Sequence, residues 1–406
     1  MNAIISQNKL VFINSLLLAF FVDIQCVNQF LVTFSSGFDS VMTLMYIGIT
    51  ALIFASGIFT EKLRANSANT YYFIVLIYIL AFYFLTPKNN GTPYTSFPMF
   101  LVFTIVAYLI PLITYVNPKI VIKATMLIPV PAVFRINEIF VMNMVYADTI
   151  SMGQSYAFLV PIVASIINMA FYFKYDSRIQ KLLGIIGLFA NFIFLIQLLF
   201  FGSRGPVLAL LLLVALIFII QLPSFDGFGV SFDKKRLLLF SISLIFIIAS
   251  FEPIMEVLSQ TLASKGMTFN FIEKILSLSE SGDITNGRSE IFPVVLNGFL
   301  ENPIFGNGFD LFNKTGMYSY PHNFLYQTVY DGGLLMICLV TVPSVYKLII
   351  SLKTSNYNTI ILLLFIFFIS VPGATFSGDL WQQGNLWLLT GMLLSNNRLV
   401  SNNLNM

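Results

Sequence analysis

Charge is scarce in this sequence. Of its 406 residues, 21 are Lys or Arg, 18 are Asp or Glu and one is His, so only 10% are charged. A soluble globular domain carries about 25%, and no long stretch of this chain approaches that. The net charge of +3 is too small to point to nucleic acid. Cysteine is nearly absent. Cys26 and Cys338 fall in apolar segments far apart in sequence, read as small apolar residues and carry no sign of a disulfide or a metal cluster. A single histidine, His322, rules out a histidine-rich metal centre, so neither metal nor cofactor is expected. The glycine-rich run ENPIFGNGFDLF has no Walker lysine and follows no strand. It reads as a tight loop between surface helices.

Apolar residues fill the space. They make up 57% of the chain, and the mean hydropathy is +0.86. Apolar stretches near the length that crosses roughly 30 Å of hydrocarbon recur throughout. They lie near 10–32, 40–59, 71–86, 97–116, 124–145, 155–173, 182–201, 207–222, 237–250, 322–346, 358–374 and 381–395. The fold class expected is therefore all-α: one polytopic membrane helical bundle of about twelve transmembrane helices, with no separate soluble domain. The first apolar stretch reads as a span rather than a signal peptide, because no small-residue cleavage site follows it.

Basic residues orient the bundle. With the N-terminus in the cytoplasm, the cytoplasmic connections hold 14 of the 21 basic residues, among them Lys119, Lys123, Lys174, Arg178, Lys181, Lys234, Lys235, Arg236 and Lys353. Both termini are then cytoplasmic. Residues 251–321 become one long outer loop, and long ordered loops are usually functional. Two amphipathic stretches, near 254–278 and 288–301, read as short helices lying along the membrane surface.

Few polar side chains could carry chemistry. Arg204, in GSRGP, stands where one span ends and the next begins, poised for an anion at the interface. The bland alternative is an arginine snorkelling to lipid headgroups; Gly202 and Gly205 on either side suggest close backbone approach instead. Arg288, in NGRSEIFP, opens the second loop helix, and on position alone a solvated loop arginine is the simpler reading. His322, in YPHNFLYQTV, sits where the loop re-enters the membrane. Histidine is the usual general base near neutral pH, although an interfacial histidine can also simply pack. Arg135 and Glu138, three apart in an apolar span, can pair either as a substrate-binding couple or as a structural one. Asp23, Asp331 and Asp379 raise the same question more weakly.

The order of these pieces resembles the O-antigen polymerase and O-antigen ligase family of bacterial membrane glycosyltransferases. GSRG at a span end is followed by GRSEIFPVVLNGFLENPIFGNGFDLF and then by PHNFLYQTVYDGGLL, from 202 to 335. The resemblance implies donors linked to undecaprenyl pyrophosphate, transfer at the periplasmic face of the inner membrane, and no metal. It implies Arg204, Arg288 and His322 as the catalytic set, with Asn323 of the His-Asn pair beside them as a substrate-binding residue. The three catalytic side chains are expected on the wall of one outward-facing cavity. Two departures stand out: Phe292 replaces a frequent tryptophan, and Asp331-Gly332-Gly333 replaces the usual Glu-x-Gly.

The partners implied are lipid-linked oligosaccharide donor and acceptor, membrane lipid and, for a polymerase, a chain-length regulator protein. A ligase acting on lipid A core stays open as an alternative. So does a lipid-linked oligosaccharide flippase, although internal repeats and broken midplane helices are not evident.

Overall fold

The structure is a computed structural model. It describes residues 2–34, 42–59, 69–88, 97–142, 144–146, 149–222, 227–249, 257, 259–261, 264, 276, 288–376 and 378–395. Helix dominates. The chain begins with α1 (Asn2–Val22), α2 (Ile24–Val32), α3 (Met42–Phe59) and α4 (Thr70–Leu85). It continues with α5 (Phe97–Ile113), α6 (Pro118–Met142), α7 (Met152–Tyr175), α8 (Arg178–Phe201) and α9 (Arg204–Ile219). Then come α10 (Lys234–Ala249) and α11 (Ile291–Glu301). The last three are α12 (Phe324–Thr354), α13 (Tyr357–Phe376) and α14 (Gly384–Leu394). Strand among the described residues is confined to two small antiparallel pairs, Met144–Tyr146 with Thr149–Ile150 and Ile220–Gln221 with Ser231–Phe232.

Each apolar stretch seen in the sequence coincides with a helix, the first with the pair α1–α2. Twelve spans is a larger statement than the helices support by length. Among the described residues, five are long and apolar enough to cross a membrane: α6, α7, α8, α12 and α13. The pair α1–α2, bent by 67° at Asp23, makes a sixth if it counts as one span. Helices α4, α5, α9 and α14 are apolar but only 10–17 residues long.

Packing follows from which helices are buried. α13 is enclosed along most of its length, from Tyr357 and Ile360 to Ala374. α7 packs against α6, α8 and α13, and α14 packs against α5 and α13. Trp387, Tyr108, Phe158 and Phe365 are fully enclosed in that core. The outer helices expose large apolar side chains such as Phe134, Ile179 and Phe189. A water-soluble monomer rarely shows contiguous surface of this kind, whereas a lipid-facing surface requires it.

The connections sort to two ends. At one end Asp176, between α7 and α8, binds Lys119 at 2.9 Å and Lys123 at 2.6 Å. There too, the Tyr357 hydroxyl donates to the Phe171 carbonyl at 2.7 Å. Backbone N–H groups of Gly229 and Val230 bond to Ser355 and Leu352. At the opposite end the Ser203 N–H donates to Ser155 Oγ at 3.1 Å, and the Phe309 N–H donates to the Pro87 carbonyl at 2.9 Å.

Of the two expected surface helices, the one near 254–278 lies outside the described residues apart from isolated positions. The one near 288–301 forms as a 3-10 turn, Arg288–Glu290, leading into α11. Ile291 and Val295, four apart on one helix face, pack with Phe312 and Tyr330.

The run ENPIFGNGFDLF does more than connect surface helices. α12 is broken at Gly333, whose φ of 59° and ψ of −157° are not helical. The run docks into that break. N–H groups of Leu334 and Leu335 donate to the carbonyls of Pro303 and Ile304 at 2.8 and 3.0 Å. In return, N–H groups of Asn307 and Gly308 donate to the carbonyls of Tyr330 and Asp331 at 2.9 and 3.1 Å. The loop thus supplies partners for backbone groups that a broken helix leaves unpaired. Only glycine fits this joint. A Cβ on Gly306 (φ +71°) would run into the Asp331 carbonyl, and one on Gly333 would lie 2.6 Å from the Gly306 nitrogen. Phe309 anchors the loop beyond the joint, fully buried with ring centroids 4.4 Å from Trp381 and 5.0 Å from Tyr83.

Candidate functional site

Arg204 is the first residue of α9 and is half-buried. The two glycines around it make that placement possible. A Cβ on Gly202 would overlap the Leu198 carbonyl, and one on Gly205 would overlap the Tyr156 hydroxyl and sit 3.3 Å from Phe376 Cβ. At Gly205 the start of α9 is therefore pressed against α7 and the end of α13, whereas Gly202 meets only Leu198 of α8, the helix it ends.

Arg288 reaches the same place from the loop. Its guanidinium donates to the carbonyl of Phe376, the last residue of α13. A helix C-terminus carries unpaired carbonyls and a partial negative charge, which suits a cation. Arg204 and Arg288 lie close enough for their charges to act on one another. Two guanidinium groups held near each other form a fork for a polyanion. The structure brings these two residues together across 84 positions of sequence.

His322 precedes α12 with a φ of 55°, in the left-handed region that a non-glycine residue seldom adopts. Such a conformation costs on the order of 1–3 kcal/mol and tends to occur at functional positions. Its ring lies 4.4 Å from that of Tyr320 and 5.3 Å from that of Tyr318. Asn323 caps α12: its side-chain oxygen accepts from the N–H groups of Leu325 and Tyr326 at 2.9 and 3.3 Å. That oxygen is engaged in capping, which narrows the substrate-binding role expected of Asn323 to its amide group. α12 starts at Phe324, because Asn323 supplies the cap.

A polar cavity of about 210 Å³ opens at this end of the bundle. Its wall includes Asp23, Gln25, Tyr156, Tyr320, Gln382 and Gln383. Arg204, Arg288 and His322 are not on that wall. Their neighbours are: Tyr156 lies against Gly205, and Tyr320 lies against His322. Tyr156 and Tyr320 thus connect the cavity wall to the segments that carry Arg204 and His322.

A buried hydrogen-bond network fixes α12 behind His322. Gln327 Nε2 donates to Asp379 Oδ1 at 2.9 Å, and Gln327 Oε1 accepts from the Leu380 N–H at 2.7 Å. Gln382 Nε2 donates to Asp379 Oδ2 at 2.6 Å, and the Trp381 indole donates to Asp331 Oδ2 at 2.8 Å. Burial pushes the Asp379 carboxyl above the usual carboxylate range, against the opposing hydrogen bonds from Trp381, Gln327 and Gln382. Gln327, Tyr156, Trp381 and Gln382 were not legible as site residues. The available signal was polar residues inside or beside apolar spans.

Arg135 and Glu138 do pair, at 3.7 Å on α6, and the guanidinium stacks 4.5 Å from the Phe34 ring. No contact among the described residues joins this pair to Arg204, Arg288 or His322. Both side chains are partly exposed, so the pair makes a modest contribution.

Residues 189–341 match the family model described as O-antigen ligase. That match covers less than half of the chain, and it supports a likeness to the O-antigen polymerases and ligases. Members of that family are glycosyltransferase-like enzymes. The match runs from α8 into α12, so it contains Arg204, Arg288, the docked loop and His322. No curated protein matches the chain.

Proposed function

We propose that the protein belongs to the O-antigen polymerase and ligase family and is a polymerase. It joins oligosaccharide repeat units carried on undecaprenyl pyrophosphate, at the periplasmic face of the inner membrane. The observation that carries this reading is the meeting of Arg204 and Arg288 at the end of α13. The donor's leaving group is a pyrophosphate. As the bond from sugar C1 to phosphate oxygen breaks, negative charge grows on that oxygen, and paired guanidinium groups stabilise it. The acceptor hydroxyl forms the new bond to C1. His322 accepts its proton, and the arginines do the electrostatic work without a metal ion.

A second observation supports a lipid-linked donor. An apolar groove of about 220 Å³ lies between α12, α13 and α14. It starts at Phe324, two residues past His322, and runs along α12 to Leu348, with Phe367, Trp387 and Leu393 opposite. We assign it to the polyprenyl tail, which stays apolar while its pyrophosphate reaches the arginines. The orientation follows from charge. Lys119, Lys123, Lys174, Arg178, Lys181 and Lys353 stand at the end away from Arg204 and His322. The positive-inside rule makes that end cytoplasmic, with both termini on the same side.

The choice of polymerase over ligase rests on composition alone. The chain is rich in Phe, Ile and Asn, as are proteins of AT-rich polysaccharide gene clusters. The test is the lipopolysaccharide banding of a deletion strain. A single repeat unit on core is the expected result. Bare core with accumulated lipid-linked polymer makes the protein a ligase. Bare core with single lipid-linked units trapped inside makes it a flippase.

A further inference from the structure

The polar cavity has its own chemistry, distinct from the arginine pair and the apolar groove. Its wall holds four carboxamides, Gln25, Gln382, Gln383 and Asn385, each able to donate and accept. It holds no basic side chain, so it does not suit the pyrophosphate. Of its two carboxyl groups, Asp379 is already engaged by Gln327, Trp381 and Gln382. Rings of Phe21, Tyr156 and Tyr320 supply apolar faces. Neutral carboxamides set among aromatic faces match a ligand with many hydroxyls and no charge.

Asp23 adds a second, independent observation. It occupies the 67° break between α1 and α2 and forms part of the same wall. The residue is 1% exposed, and neither carboxyl oxygen has a hydrogen-bond partner among the described residues. Buried polar groups are almost always paired. Asp23 belongs to the cavity wall, so a donor held in the cavity would supply the missing partner. A hydroxyl group is such a donor.

We infer that this cavity is a subsite for one neutral sugar residue, the terminal sugar of the acceptor glycan. Gln25, Gln383 and Asp23 bind its hydroxyls. The cavity lies between Tyr156, which packs against Gly205 beside Arg204, and Tyr320, whose ring lies 4.4 Å from that of His322. A sugar held there presents a hydroxyl toward the reacting centre. The inference rests on the glycosyltransferase reading for the sugar's role, but not for its binding.

The test uses the purified full chain in lipid nanodiscs. Methyl glycosides of glucose, galactose, mannose, rhamnose and N-acetylglucosamine are the probes, read by saturation-transfer NMR. At least one should bind. Binding should weaken about tenfold in Gln25→Ala/Gln383→Ala, as expected for two lost hydrogen bonds, and it should also weaken in Asp23→Asn. Tryptophan fluorescence on heating confirms that each variant is folded; one that is not folded is replaced by Gln383→Ala alone. Tritiated undecaprenyl pyrophosphate, which carries no sugar, separates the two ideas. It should bind wild type and the double variant equally. If it binds but no glycoside does, or if glycoside binding is unchanged in the variants, the subsite is overturned and the donor reading stands. If a glycoside binds and the lipid pyrophosphate does not, the subsite stands and the donor reading falls.

Discussion

Arg288 hydrogen-bonds through its guanidinium to the carbonyl of Phe376, 88 residues further along the chain. The contact ties the loop that carries Arg288 to the end of the most enclosed helix of the bundle. It also delivers a second positive charge beside Arg204. Like charges brought together at a half-buried site are costly unless an anion offsets them. Arg204→Lys and Arg288→Lys should each lower the rate by about 10²–10³, the loss typical of removing one preorganised donor. Charge is kept in both, but the planar fork is lost. The assay is polymerisation of purified lipid-linked repeat units. Wild-type rates from both variants would end the catalytic reading.

The joint between Gly306 and Gly333 predicts a stability difference that activity alone would not reveal. Gly306→Ala places a Cβ into the Asp331 carbonyl at a positive φ. The cost should reach about 3 kcal/mol or more, the sum of a left-handed alanine and a clash. Gly316→Ala is the control. Its φ is also positive, at +77°, but nothing lies within 4 Å of the added carbon. It should cost about 1–2 kcal/mol. Midpoints of thermal unfolding in detergent should fall in that order. Equal midpoints would show that the loop does not brace α12.

Much of this architecture was legible in the sequence, for a physical reason. Apolar stretches must become helices where lipid offers no hydrogen bonds, and each stretch did. Gly205 announced a close approach because only small residues permit one. The two breaks, at Asp23 and Gly333, were not legible. A break depends on which distant segment supplies the missing partners, and Pro303 and Ile304 give no local sign that they do so. Asp331 and Asp379 stood out only weakly, as carboxyls in or beside apolar spans, and their jobs depend on Trp381 and Gln327, distant in sequence from at least one of them. The three catalytic candidates were visible as a set only through the resemblance, whereas the cavity lined by Tyr156 and Tyr320 was not visible.

Orientation is checked by labelling. The basic residues place Ser231 inside and Ser281 outside. In intact spheroplasts, a cysteine at position 281 should react with an impermeant maleimide and one at position 231 should not. The reverse pattern would invert the bundle and move the proposed site to the cytoplasmic face.

The arginine-based mechanism also predicts indifference to chelators. Polymerisation by the purified protein should proceed at an unchanged rate in EDTA. A loss of activity restored by magnesium or manganese would mean that a metal, and not the arginine pair, carries the pyrophosphate charge.

His322 allows its backbone and its chemistry to be separated. The residue holds a φ of 55°, which glycine adopts freely and histidine does not. His322→Gly should therefore remove backbone strain, offset in part by the greater freedom of the unfolded chain. His322→Ala keeps the strain. Both remove the imidazole. If His322 takes the acceptor's proton, both variants lose activity to a similar extent, while the glycine variant unfolds at the same or a higher temperature than the alanine variant. If the residue matters only as a turn before α12, both variants retain most of the activity. Measuring rate and unfolding midpoint on the two variants side by side decides between these outcomes. Activity retained by His322→Gly would remove the general base from the mechanism and leave the arginine pair in place.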